Sequence, residues 1–178
     1  ALSVAVAGDL IYVQPVTYTE SIDFPASGTS GNLITLSCAL GALGQVLVNL
    51  PGSYVTANPD GPVLKLDGKS YIWINGLVIE GSIGMAEAPA SEHSGANGIS
   101  LLNNAGLGCK ITNCVIYDCL HCGIKNSSTG TVEFTAEGNT IFDCGTISVD
   151  HGISVGNDSS VLNGNVAFNN AGNGINIA

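Results

Sequence analysis

Two aspartates, Asp118 and Asp143, each precede a cysteine and stand 25 residues apart. If the chain coils at that period, they occupy matching places on neighbouring strands, roughly 5 Å apart. Carboxylates at that spacing can share a calcium ion or divide acid and base duties. His121, Asp150 and His151 fall in the turns that follow, on the same edge. The competing account is structural: Asp and His close turns by bonding backbone N–H groups, which every corner of a coil demands. Both accounts stay open at this level.

Other residue types invite their own chemistry. Cys119-Leu120-His121-Cys122 encloses a histidine in a C-x-x-C, and Cys144 or His151 could complete four zinc ligands. A second C-x-x-C is missing, so no metal site is assigned. The six cysteines, Cys38, Cys109, Cys114, Cys119, Cys122 and Cys144, read more simply as small buried hydrophobes or local disulfides whose pairing the sequence leaves open. In Tyr71-Ile72-Trp73-Ile74, alternation turns the isoleucines inward and stands Tyr71 and Trp73 on the outer wall, as a sugar platform, a protein contact or a pair under a loop. Asn126-Ser-Ser and Asn157-Asp-Ser are glycosylation sequons at parallel places.

These residues must be positioned by a repeat. Gly-Ile recurs at Gly98, Gly123, Gly152 and Gly174, and Asn113, Asn139 and Asn165 keep a 26-residue beat, each followed by a short apolar run. A period of 20 to 30 residues marks a solenoid, whose stacked units form the core together. The apolar stretches are short, rich in Ile and Val, and separated by Gly, Asn, Asp and Ser, which reads as strand and turn. Three strands per period fit at 98–102, 109–112 and 115–117, at 123–126, 132–135 and 140–142, and at 152–155, 160–163 and 166–168. The three asparagines would stack as an internal amide ladder. Earlier strands fit at 10–13, 21–24, 33–37 and 45–49, with three more inside 63–79. The expected fold is an all-β, right-handed parallel β-helix of about six to seven coils, one domain over 1–178. A loop insertion at 81–97 interrupts it and carries Glu87, Glu92 and His93, candidates for a binding face.

With those repeats, and with GDLIYVQPVTYTESIDF (8–24) and VLKLDGKSYIWINGLVIEGS (63–82), the chain resembles the right-handed β-helix proteins of the pectate-lyase-like superfamily. The resemblance implies the fold over nearly the whole length, and an extracellular or cell-surface address. It also implies a candidate activity, since lyases of this kind use Arg or Lys as base beside calcium held by acidic residues. Only Lys110 and Lys125 sit in the regular coils to serve as that base. Hydrolases of the fold carry Asp-Asp and Gly-His-Gly clusters, of which Asp150-His151-Gly152 is a thin echo. Fold alone does not decide among lyases, hydrolases, binding modules and inert shafts.

Composition narrows the partners. Four lysines, no arginine and a formal charge of −10 argue against nucleic acid and anionic membranes, and disfavour polyanionic sugars unless calcium bridges the charges. No 18-residue apolar run is present to span a membrane. The chain starts at Ala1 rather than Met, which suggests a removed leader, or a fragment of a larger protein. Neither end shows an obvious cap, so exposed strand edges could join copy to copy through Leu2, Val4, Val6, Ile175 and Ile177, building a filament or shaft. Two functions are therefore expected: a self-assembling structural β-helix, or a carbohydrate-active or carbohydrate-binding module.

Overall fold

Ile, Leu and Val at alternate positions supply three inward-facing rows, and stacking those rows on one another forms the core. The computed structural model describes residues 2–39, 43–49, 61–81, 97–103, 105–127, 133–156 and 159–177. The first coil holds β1 (Leu10–Val13), β2 (Thr17–Thr19) and β3 (Ile22–Asp23), and the second β4 (Ile34–Cys38), β5 (Leu47–Asn49) and β6 (Leu64–Lys65). The third is β7 (Ile72–Asn75), β8 (Val78–Glu80) and β9 (Ile99–Leu101), and the fourth β10 (Cys109–Thr112), β11 (Val115–Tyr117) and β12 (Ile124–Asn126). The fifth is β13 (Phe134–Glu137), β14 (Thr140–Phe142) and β15 (Ile153–Val155), and the sixth β16 (Val161–Asn163), β17 (Val166–Phe168) and β18 (Ile175–Ile177). Each strand pairs in parallel with its counterpart one coil away, giving three six-stranded sheets: A (β1, β4, β7, β10, β13, β16), B (β2, β5, β8, β11, β14, β17) and C (β3, β6, β9, β12, β15, β18). This is a parallel β-helix.

The register makes the inner rows explicit. Sheet A stacks Leu36, Ile74, Ile111 and Ala136, sheet B stacks Val48, Ile79, Ile116 and Ile141, and sheet C stacks Leu64, Ile99, Ile124 and Ile153. All are buried, each large aliphatic side chain contributing about 1.5–3 kcal/mol of hydrophobic stabilisation. The edges of each inner coil are therefore satisfied by its neighbours rather than by itself.

The Gly-Ile repeat has a steric cause. A Cβ on Gly123 would lie 2.5 Å from Ile141 Cγ2 and 2.8 Å from the Gly152 carbonyl oxygen, and one on Gly98 would lie 2.7 Å from Ile116 Cγ2. At the corner between sheets B and C the inner row of sheet B comes so close that only glycine fits, and the next residue, isoleucine, enters the core.

Several expectations need correction. Asn113 does not join an internal ladder with Asn139 and Asn165. It holds a left-handed turn position (φ 55°) matched one coil on by Gly138 and two coils on by Gly164, so the beat slips by one residue. The ladder is Asn139 and Asn165: Asn139 Nδ2 donates to Asn165 Oδ1 (2.9 Å) and to the Ile111 carbonyl (2.9 Å), while its Oδ1 accepts from Cys114 N–H (3.0 Å). Strand β2 was not among the expected strands, because Gln14 to Glu20 reads as polar and proline-interrupted. Counted from β1, β18 completes the sixth coil, within the expected number. The described part of the first segment holds a single 3-10 turn, Leu2–Val4.

All six cysteines are buried free thiols. Cys114, Cys119 and Cys144 each donate to the carbonyl two residues earlier, at 3.3, 3.7 and 3.4 Å. Burial pushes the Cys114 thiol up to about 12 and Cys109 to about 11, so both stay protonated. The zinc alternative at Cys119–Cys122 finds no support, because Cys119 and Cys144 face the core while His121 turns to Asp150.

Candidate functional site

The outward positions of sheet C form a row fixed by the register: Asp23, Lys65, Ser100, Lys125, Ser154 and Asn176. Ser100 and Ser154 face away from the core yet are only 1% and 7% exposed, so neighbouring atoms cover them. Ser100 Oγ donates to Asp67 Oδ1 (2.9 Å), and Lys125 Nζ donates to Ser154 Oγ (3.5 Å). Sequence patterning could not reveal this row, because a residue's inward or outward sense depends on knowing which of three short strands it occupies.

The turns from sheet B to sheet C hold the remaining polar candidates. Asp150, 2% exposed, accepts from the N–H groups of Thr146 and Ile147 (both 3.1 Å) through Oδ2, and its Oδ1 lies 3.3 Å from His121 Nδ1. It is thus a turn-closing carboxylate paired with a buried histidine. His151 Nδ1 accepts from Asn173 N–H (2.9 Å), which leaves the ring proton on Nε2. Burial and then the nearby Lys125 charge lower its pKa, with Asp150 opposing, so the ring is neutral near pH 7. Its backbone N–H donates to Cys122 Sγ (3.3 Å).

Asp118 and Asp143 do sit one coil apart, each following a paired strand residue, Tyr117 or Phe142. Both adopt left-handed backbone (φ 53° and 52°), as does Asn169 in the next coil (φ 53°). Short polar side chains tolerate that conformation, which accounts for the residue type without catalysis. Burial first, and then the charges of Asp143 and Glu80, raise the Asp118 pKa. Beside them Tyr117, Phe142 and Phe168 stack at centroid distances of 5.3 and 5.1 Å, which covers most ring faces and turns their edges outward.

The remaining candidates separate. Trp73 stands on the outer face of sheet A, its Nε1 donating to Thr112 Oγ1 (2.8 Å) and Lys110 Nζ lying 6.0 Å over its ring. Tyr71 does not pair with it. Its positive φ (56°) precedes the strand, and its ring packs against Gly108, where any Cβ would collide with it. Asn126 is inward-facing and 1% exposed, which leaves no room for a glycan. Asn157, Glu87, Glu92, His93 and all but the ends of the 81–97 insertion lie outside the described residues. Val4, Val6, Ile175 and Ile177 are exposed and Leu2 packs on the core, exposure that any terminal coil shows. Among the described residues no group of three or more His, Cys, Asp or Glu is placed to hold a metal ion. No helix among them is long and apolar enough to cross a membrane.

Fold and site together define a parallel β-helix with two lysines on one outward row. A family model described as the right handed beta helix region matches residues 53–178, and the chain belongs to that family. The crystal structure of pectate lyase Pel9A is similar, with a TM-score of 0.71 at 15% identity over 97% of this chain. This chain spans 42% of that enzyme's length. No curated protein sequence matches it significantly.

Proposed function

We propose that the chain is a carbohydrate-active β-helix that holds an acidic polysaccharide along the outer face of sheet C, centred on Lys125. The observation that carries this is the placement of cations. Of four lysines in a chain of net charge −10, Lys65 and Lys125 share one outward row two coils apart, a separation of about 10 Å. Ser100 and Ser154 alternate with them, their hydroxyls held by Asp67 and Lys125. Sheet A has Lys110 alone, held over an indole, and the outward row of sheet B carries Glu80 and Asn49. A carboxylate-bearing chain finds its cationic partners on sheet C.

The likeness to a pectate lyase supports a polyuronate such as pectate as the ligand class. Cleavage by that enzyme's kind of reaction would take the proton beside a sugar carboxylate, expel the glycosidic oxygen and leave a carbon–carbon double bond. His151 is poorly placed as the base, since its Nδ1 lone pair already accepts a hydrogen bond. Asp150 is buried and engaged in its turn. Lys125 is the cation on this wall that can pair with the sugar carboxylate. An extracellular site of action belongs to the same reading. A filament-forming shaft has no observation of its own in support.

Equilibrium binding to polygalacturonate, alginate and chondroitin, with ultraviolet absorbance to follow unsaturated products, tests the proposal. Binding of at least one, weakening as salt rises, supports it. Failure of all three to bind at low ionic strength overturns it.

A further inference from the structure

Separately from that wall, we infer that a second site, for a neutral sugar ring, lies on the outer face of sheet A around Trp73. A groove of about 310 Å³ there is lined chiefly by Leu10, Tyr12, Thr35, Ser37, Trp73 and Asn75, with Leu43 forming an apolar edge. The register places Thr35 on one side of Trp73 and Lys110 on the other, so the groove runs against the ring side away from the ammonium group.

Three features fit a pyranose. The indole is held by the Nε1 bond to Thr112 (2.8 Å), giving a fixed aromatic face for the C–H side of a ring. The polar rim is also fixed: Thr112 Oγ1 donates to Asn75 Oδ1 (2.8 Å) and Asn75 Nδ2 donates to Ser37 Oγ (3.1 Å). Finally, no lining residue is charged, in a chain with 14 carboxylates, which suits an uncharged ligand and not a uronate. The volume, about 310 Å³, falls at the small end of the ~300–1,000 Å³ of small-molecule sites.

Trp73 is the only tryptophan, so its fluorescence reports on this groove alone. Short neutral oligosaccharides cut from cellulose, xylan, mannan and galactan serve as probes. At least one should change the emission saturably, protect the ring from acrylamide and bind independently of salt. Trp73→Ala should weaken its calorimetric affinity about tenfold or more. Thr35→Phe, which fills the groove and leaves the indole in place, should abolish the fluorescence response with the circular dichroism spectrum unchanged. Lys125→Gln should leave binding intact, whatever becomes of acidic ligands. No saturable response to any of the four probes, undiminished binding by a folded Thr35→Phe variant, or light scattering that shows the groove closed by a second copy would overturn the inference.

Discussion

Asp118, Asp143 and Asn169 share one backbone conformation in successive coils, so the third is a natural control for the first two. Asp118 is raised above its ordinary value by burial and by Asp143 and Glu80, meaning that the folded state holds its proton to higher pH than the unfolded chain does. Ionising it therefore costs stability, a cost fully present above the folded pKa and gone below the unfolded one. Asp118→Asn should raise stability at pH 7 by about 0.5 kcal/mol or less, because the carboxyl is largely solvated. In denaturant titrations that gain should shrink with salt and vanish by about pH 3. His151 has the opposite sign of pH dependence. Its folded pKa is lowered, so its contribution is full above the unfolded value of 6.5 and is lost as pH falls below it. His151→Gln keeps an acceptor for Asn173 N–H and removes the titration, so unfolding midpoints should vary less between about pH 7 and pH 5 than in the parent. An equally steep dependence in the variant would contradict this assignment.

Coil by coil, most strands were legible because Ile and Val alternate with turn residues, and β10, β11 and β14 fall where their sequence places them. Legibility failed where one local signal had two structural meanings. Asn113 resembles Asn139 in a sequence window, yet one is an exposed turn residue in left-handed backbone and the other a fully buried ladder member. Tyr71 looks like the partner of Trp73 until its positive φ takes it out of the strand alternation. The glycine repeat was visible as a marker, but its cause, the approach of Ile116 and Ile141, needed the register. Gly123→Ala should destabilise by about 1–3 kcal/mol, as overpacking of a tight core does. Calorimetric melting would show it, and a shift no larger than that of an exposed substitution would mean the corner is looser than its contacts imply.

Across the whole molecule, a solenoid gives three long walls with different chemistry from one repeating core. Sheet A offers an uncharged aromatic groove, sheet B a row of stacked aromatic rings beside carboxylates, and sheet C an outward row with two of the four lysines. Candidate residues in the turns from sheet B to sheet C, His121, Asp150 and His151, could be picked out from sequence by type, but their roles could not, because burial and turn bonding decide them. The fold was readable from the spacing of markers, whereas the choice of wall was not. For the binding of an acidic chain, Lys110 on sheet A is the internal control for Lys125 on sheet C. The most direct measurement is calorimetric affinity for whichever acidic polysaccharide binds, at low salt, for the parent, Lys125→Gln and Lys110→Gln. Loss of about tenfold or more in Lys125→Gln, with Lys110→Gln near the parent, is the predicted result. Equal losses in both, or none in Lys125→Gln, would contradict it.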